Sequence, residues 1–403
     1  MKHIAKYSKV FLLLVVAYFG FVVVSCLLPD HSIKRHIAES AQKIAAEGLY
    51  PKAIINKEQC QMDNFTDALI MNQIYSIDRK RPLTSAMRMI RMSEKGLDWD
   101  QTGLLLRTVN GEPLEEQHYA RYWHGSSFLY RFLFLTVDYD TLRMLLFIVS
   151  TLILIGLCCQ IYLRAGWATA FALVMGFVFT YGFVAQFSLQ FFPILCLTAV
   201  TIFLVVKKRE STDYGILFFI VGSLACYFDL LTVPLLTLGI PLAVMVALKR
   251  DDEFRINDNL REIIKLSLLW GLGFALTFAT KWGMASLVLG QNILADGMDA
   301  GFYRMEADEF TRWDAVIRNF GMLPLGMIGI AAAATILFGI LRHSGFNYLR
   351  IIPLFVIALM PYAWYLLLAN HSYEHWWFTY RLQAVSVICL FFMLLNPEPR
   401  SKS

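Results

Sequence analysis

The sequence predicts an all-α polytopic membrane protein of about ten transmembrane helices, with a large helical first extracytoplasmic loop. Three observations carry this. The 403-residue chain is 57% hydrophobic with only 17% charged residues, too apolar for a water-soluble domain of this length. Apolar runs of 18 or more residues recur, each long enough to cross roughly 30 Å of hydrocarbon as a helix. The short alternating segments of a membrane β-barrel are absent from the sequence, and helices satisfy their own backbone polar groups in lipid.

Taken in order, the apolar runs predict helices over about 9–28, 141–163, 166–184, 190–206, 214–230, 232–248, 264–289, 321–341, 350–369 and 382–396. Lys2, Lys6 and Lys9 precede the first run, which lacks a small-residue cleavage site and reads as an uncleaved helix. With the N-terminus inside, alternate connections hold Lys207, Lys208 and Arg209, then Lys249, Arg250, Arg255, Arg261 and Lys265, then Arg342 and Arg350, then Arg400 and Lys402. The opposite turns at 185–189 and 231–233 hold no Lys or Arg. This asymmetry orients both termini to the cytoplasm of a multi-pass protein in a bacterial inner membrane. The net charge of +5 gives no reason to expect nucleic acid. Of seven cysteines only Cys60 falls in a loop, so neither a disulfide framework nor a zinc spacing follows.

Residues 29–140 then form an outward loop, with smaller ones at 290–320 and 370–381. Within the first, residues 32–47 show helical spacing that stops at Gly48 with Pro51 beyond, and Pro113 with Glu115 and Glu116 predicts the start of another helix. Ser126–Thr136, apolar around Arg131 and too short to span, suits a helix lying at the membrane interface.

Four constellations could carry chemistry. In Asp63-Asn64-Phe65-Thr66-Asp67 the two carboxylates share one helix face, fit for a general base or for holding a divalent cation; Asp63 is equally fit to cap the helix that follows. Arg121-Tyr122-Trp123-His124-Gly125 sets a cation among rings, suited to a sugar or phosphate and also to membrane anchoring, and Arg143 adds a cation that could snorkel. Asp229 and Lys281 are ionisable groups at membrane depth, a functional hypothesis by default, with an ion pair between them as the structural alternative. The turn 370–381 gathers His371, Glu374, His375, Tyr380 and Arg381, more polarity than an interfacial aromatic belt needs; His371 and His375, four apart, lack a third metal ligand. The segment from Asp296 to Arg318 is mixed in sign and reads as a solvated face.

This layout resembles the GT-C superfamily of membrane glycosyltransferases: a first helix entering from the cytoplasm, a large first outward loop with acidic residues, and a polar outward site at later helix ends. The likeness covers topology over most of the chain. The DNFTD, YWHG and FTYR segments also resemble those of uncharacterised bacterial polytopic membrane proteins. The GT-C resemblance implies transfer of a sugar from a polyprenyl-phosphate donor to an envelope glycan or lipid acceptor on the outer face. It implies Asp63 or Asp67 as the base and Lys281 and Arg381 as phosphate binders. The chain departs from that pattern after the first helix, where only Asp30 stands. A transporter or flippase would instead show midplane charges, broken helices and related halves, and of these only Gly and Pro breaks such as Pro234, Pro241 and Pro361 lean that way, with no internal repeat. A polysaccharide polymerase or ligase would share the outward site, and a non-catalytic envelope-assembly protein would not need it.

Overall fold

In the computed structural model, which describes residues 2–207, 212–249, 254–341 and 348–395, helices account for nearly all regular structure. Lys208, Arg209, Arg250, Arg342, Arg400 and Lys402, used above for orientation, lie outside the described residues.

The chain begins with α1 (Lys2–Cys26). The first loop follows with α2 (Asp30–Glu47), α3 (Asn64–Tyr75), α4 (Pro82–Arg88), β1 (Arg91–Ser93), α5 (Gln101–Val109), β2 (Glu115–Gln117) and α6 (Gly125–Leu133). Then come α7 (Tyr139–Phe179), α8 (Gly182–Ala185), α9 (Phe192–Lys207), α10 (Tyr214–Phe228), α11 (Leu236–Ala247) and α12 (Ile256–Leu289). The last part comprises α13 (Ile293–Met305), α14 (Arg312–Phe320), α15 (Leu325–Leu341), α16 (Tyr348–Ala358), α17 (Met360–Leu367), α18 (Ala369–Glu374), α19 (Trp376–Thr379) and α20 (Ala384–Leu395).

Five described segments are long and apolar enough to cross a membrane: Ile4–Cys26, Tyr139–Phe179, Ile256–Leu289, Tyr348–Leu367 and Trp376–Leu395. The pair α14 and α15, bent by 65° at their junction, would make a sixth, and α9, α10 and α11 are apolar but shorter.

The long α7 is two arms. Gly166 interrupts it at φ 81° and ψ 174°, a conformation essentially confined to glycine. At the start of the first arm the Tyr139 hydroxyl donates to Asp67 in the first loop. At its end Arg164 reaches the carbonyl of Lys207 (3.3 Å). At the end of the second arm the Thr180 carbonyl accepts from Tyr380, which also bonds the Gln59 carbonyl of the first loop. The arms therefore run in opposite senses, and Ser150, Leu154 and Leu157 of one face Leu173 and Phe177 of the other across a shared cavity.

The same division holds along the chain. Lys6 pairs with Asp213 (2.8 Å), Lys249 with Glu262 (2.5 Å), and Arg350 donates to the Ala247 carbonyl (3.0 Å), all at the end away from the first loop. At the other end the turn at 188–190 and α13 meet the first loop, the turn at 229–233 joins the first of these through Thr232 and Gln190, and α18 joins the turn at 229–233 through His371. Between the two ends, α10 and α12 pack backbone against backbone: a Cβ on Gly222 would sit 2.0 Å from the Trp270 carbonyl oxygen, and one on Gly273 2.1 Å from that of Phe219.

In the first loop, α2 ends at Gly48 (φ 79°) as its sequence predicts. The helix expected after Pro113 is instead β2, paired antiparallel with β1 in the register Met92↔Glu116; there Glu116 is held by Arg88 (2.8 Å). In Ser126–Thr136, expected at the membrane interface, Phe128, Tyr130 and Phe134 are fully buried in the protein, while Leu129, Phe132, Leu133 and Leu135 keep part of their surface. The reason is Arg131, also fully buried, which donates to the carbonyls of Ser25 and Ile74 and pairs with Asp30. That single side chain ties the end of α1 to α3 and α6 and occupies the acidic residue that follows the first helix.

Candidate functional site

Asp63 is the N-cap of α3, accepting from the Thr66 N–H (3.0 Å) and hydroxyl (2.9 Å). It also accepts from the Gln190 amide, whose carbonyl oxygen accepts from Thr232 (2.8 Å). Four residues on, Asp67 accepts from the hydroxyls of Tyr139 (2.7 Å) and Ser188 (3.0 Å) and from the Leu189 N–H (3.0 Å). Both carboxyls are buried, which pushes Asp63 up to about 6 and Asp67 up to about 7 despite their donors. Every carboxylate oxygen of the pair has a partner. The pair clamps the first loop onto the turns before α9 and α11. Arg381 lies close enough to Asp63 to favour its charge.

Lys281 does not join this group. Its ammonium, fully buried, donates to the carbonyls of Ala86 and Met87 (both 3.1 Å) at the end of α4 and stands over the Trp123 ring. The ion pair with Asp229 is not formed. Asp229 follows α10, and neither of its buried carboxylate oxygens has a donor in bonding geometry. The groups nearest to stabilising its charge are the Thr232 hydroxyl and the N–H groups of Leu230, Thr232 and Val233. It lies next to Tyr122, whose ring carries the Arg304 guanidinium on its face (5.7 Å).

Arg304 belongs to a polar cavity of ≈ 390 Å³, within the range of ~300–1,000 Å³ usual for small-molecule sites. Arg121 comes to it from the first loop; Asp296, Asp299, Tyr303 and Arg304 come from α13; Asn370, His371, Glu374 and the following His375 come from α18. The first loop, α13 and α18 are thus three walls. Arg121 stacks on Tyr119 (4.8 Å), approaches Asp296 (3.8 Å) and leaves its Nε unpaired. Glu374 accepts from Tyr303 (3.1 Å). Asp299 is exposed and has no hydrogen-bond or ion-pair partner among the described residues.

Burial disfavours the charged form of the histidines here. His371 Nε2 donates to the carbonyl of Leu231 (2.8 Å), and burial holds the ring well below the usual imidazole range. His375 is pushed down to about 4 by burial and by Arg304, and its Nδ1 has no partner. His124 donates from Nε2 to the Tyr119 carbonyl (2.8 Å), is pushed down to about 3 by burial, and also keeps an unpaired Nδ1. Trp123, by contrast, is wholly internal, its indole N–H spent on the Thr277 carbonyl. Among the described residues no three His, Cys, Asp or Glu side chains converge as metal ligands.

A second cavity, ≈ 100 Å³ and almost wholly apolar, runs between the two arms of α7, α9, α11 and α20. Arg381 lines it. The Arg381 guanidinium donates to the carbonyls of Trp377 (3.1 Å) and Gln59 (3.2 Å), lies over Phe191 and Tyr380, and leaves Nε unpaired.

No protein-family model, curated protein or solved structure matches this chain. The reading of the site therefore rests on its own geometry.

Of the residues singled out from sequence, Arg121, His371 and His375 meet in the polar cavity, with His124 and Asp229 behind its wall. Asp63, Asp67, Tyr380 and Arg381 gather around the first-loop clamp, and Lys281 and Trp123 form a third, separate group. The residues missed are Asp296, Asp299, Tyr303 and Arg304, which the mixed charge of their segment assigns to a solvated face. A signal for them existed: Leu294, Met298 and Phe302 repeat every four residues on the opposite side of the same helix.

Proposed function

We propose that this protein transfers a sugar from a polyprenyl-phosphate donor to an envelope glycan or lipid on the outer side of a bacterial inner membrane, with both termini cytoplasmic. Counting both arms of α7, the three shorter apolar helices and the bent α14–α15 pair, the chain would cross about ten times.

One observation carries the reading. A single segment, Asn370–Arg381, contributes His371, Glu374 and His375 to a polar cavity and Arg381 to an apolar one. A ligand with an aliphatic chain, an anionic joint and a hydroxyl-rich head needs such a sequence of environments. The apolar cavity suits the chain, with Arg381 at its border; Arg304 in the polar cavity suits the phosphate, and the carboxylates there suit sugar hydroxyls.

In the reaction, Asp299 takes the proton from the acceptor hydroxyl as that oxygen bonds to the anomeric carbon. The bond from that carbon to the phosphate oxygen breaks, and Arg304 balances the charge left on the polyprenyl phosphate. Asp299 is preferred over Asp63 and Asp67 because its carboxylate is unengaged, whereas theirs are saturated with donors.

The test is transfer of labelled sugar by the full chain in proteoliposomes, from a panel of polyprenyl-phosphate hexoses to envelope acceptors. Asp299→Asn is expected to lower the rate by about 10²–10⁴, the usual worth of a general base. Arg304→Met should raise the donor concentration needed. Wild-type rates in Asp299→Asn, Arg304→Met and Arg381→Met together would end this reading.

A further inference from the structure

Two helices at the first-loop end are inside out for a protein surface facing water. In α14 the face turned into the protein carries Asn319, fully buried, which donates to the carbonyls of Ala315 (2.9 Å) and Ser372 (2.8 Å) and accepts from Thr379 (2.7 Å). Its large apolar residues point the other way, with Trp313 63%, Ile317 66% and Phe320 41% exposed. In α13 the same inversion holds. Leu294, Met298 and Phe302 are 46%, 46% and 57% exposed, while Asp296, Asp299 and Arg304 line the polar cavity. At 3.6 residues per turn, the two sets on α13 are centred roughly 160° apart.

Both outward stripes continue into surfaces already apolar and exposed. Before α13, across a short turn, α12 ends with Leu287 (86% exposed) and Val288. After α14, α15 begins with Leu325, Met327 and Ile330, all exposed. Because α14 is bent 65° from α15, an α15 that crosses the bilayer leaves α14 inclined toward the membrane plane, not along its normal. An amphipathic helix in that attitude, with Trp and Phe on its free face, matches the boundary between headgroups and acyl chains.

We infer that α13 and α14 lie in the interface of the leaflet on the first-loop side, with Leu294, Met298, Phe302, Trp313, Ile317 and Phe320 inserted among lipid chains. On this geometry α13 is a partition: lipid touches one face and the polar cavity the other, about one helix diameter, ~10 Å, apart. The cavity then opens at headgroup level, and an amphiphilic ligand reaches it sideways from the leaflet. The inference requires that the long apolar helices cross a bilayer, and it is independent of sugar transfer.

The experiment uses the full chain in lipid nanodiscs, with native cysteines replaced and monodispersity checked. Single nitroxide labels are attached at Leu294→Cys, Met298→Cys, Phe302→Cys, Trp313→Cys and Ile317→Cys, with Glu309→Cys as the solvent reference. The five stripe positions should collide severalfold more with oxygen than with a water-soluble nickel complex, and Glu309→Cys the reverse. Equal access of the nickel complex to all six would overturn the inference. A second reading avoids the cysteine background: brominated lipids should quench the wild-type protein more than Trp313→Phe. Identical quenching of the two would also overturn it. Loss of sugar transfer in any variant leaves both measurements unaffected.

Discussion

Replacing Asp67 by asparagine tests whether the carboxylate that clamps the first loop is held there at an energetic cost. Burial raises Asp67 from 3.8 to about 7. A carboxyl raised in this way favours the folded arrangement most strongly below its unfolded pKa, and that advantage is lost as pH climbs through the folded value. With 3.8 and about 7 as the two limits, docking of the loop should weaken by roughly 2–3 kcal/mol between pH 5 and pH 7.5, on the order of 100-fold in the opening constant. Asp63, raised to about 6 for the same reason, acts in the same direction. The asparagine side chain would resemble the protonated acid: its carbonyl oxygen can accept from Ser188 and Leu189, and its amide can donate to the Tyr139 hydroxyl. Hydrogen–deuterium exchange of the α3 amides, corrected for the intrinsic effect of pH, reads the opening directly. Wild-type protection should fall with rising pH across this window, and Asp67→Asn should flatten much of that fall while matching wild type near pH 5. Protection that rises with pH in the wild type, or an Asp67→Asn variant that opens more than tenfold at pH 5, would refute the reasoning.

Two further substitutions separate scaffold from site. Lys281→Met leaves the Ala86 and Met87 carbonyls buried without their donor, so thermal stability should drop by about 1–3 kcal/mol while the affinity for a polyprenyl-phosphate ligand, read by titration, stays within about threefold. Gly166→Ala meets no neighbouring atom but forces a Cβ into a backbone conformation reserved for glycine; the melting temperature in detergent should fall by the equivalent of about 1–3 kcal/mol.

The helical membrane character is legible because it is written in periodicity and run length, and the break near 163–166 shows as a Gly between two apolar runs. Capping is legible too: Asp63 before a helical run and Gly48 after one act through local backbone chemistry. What the sequence hides is partnership across distance. Nothing local to Asp67 announces Ser188 and Leu189, 121 and 122 residues away, and nothing local to Arg131 announces Ser25. The burial of Phe128, Tyr130 and Phe134 within Ser126–Thr136 is hidden for that reason, since an apolar helix around one arginine has the same pattern whether lipid or protein covers it. Likewise α13 reads as a solvated face when its charges are counted along the chain and not around the helix. Sorted by angle, the polar residues face a cavity and the apolar ones face outward.

Buried ionisable groups in this protein divide by whether their hydrogen-bonding capacity is used. Asp63, Asp67, Arg131 and Lys281 are engaged by protein donors or carbonyls, each joining segments distant in sequence. A group that is saturated in this way fixes structure, and a substrate could reach it only by displacing bonds already made. His124, His375, Arg121, Arg381 and Asp229 each keep at least one polar atom unpaired in the interior. Such atoms are expensive to leave without a partner in a protein interior. Arg121 and His375 line the polar cavity, Arg381 lines the apolar one, and His124 and Asp229 flank Tyr122 behind the polar wall. Five of these groups thus border or back the two cavities, whereas Arg91, whose Nε is also unpaired, lines neither; the acidic pair most conspicuous in the sequence holds the first loop in place.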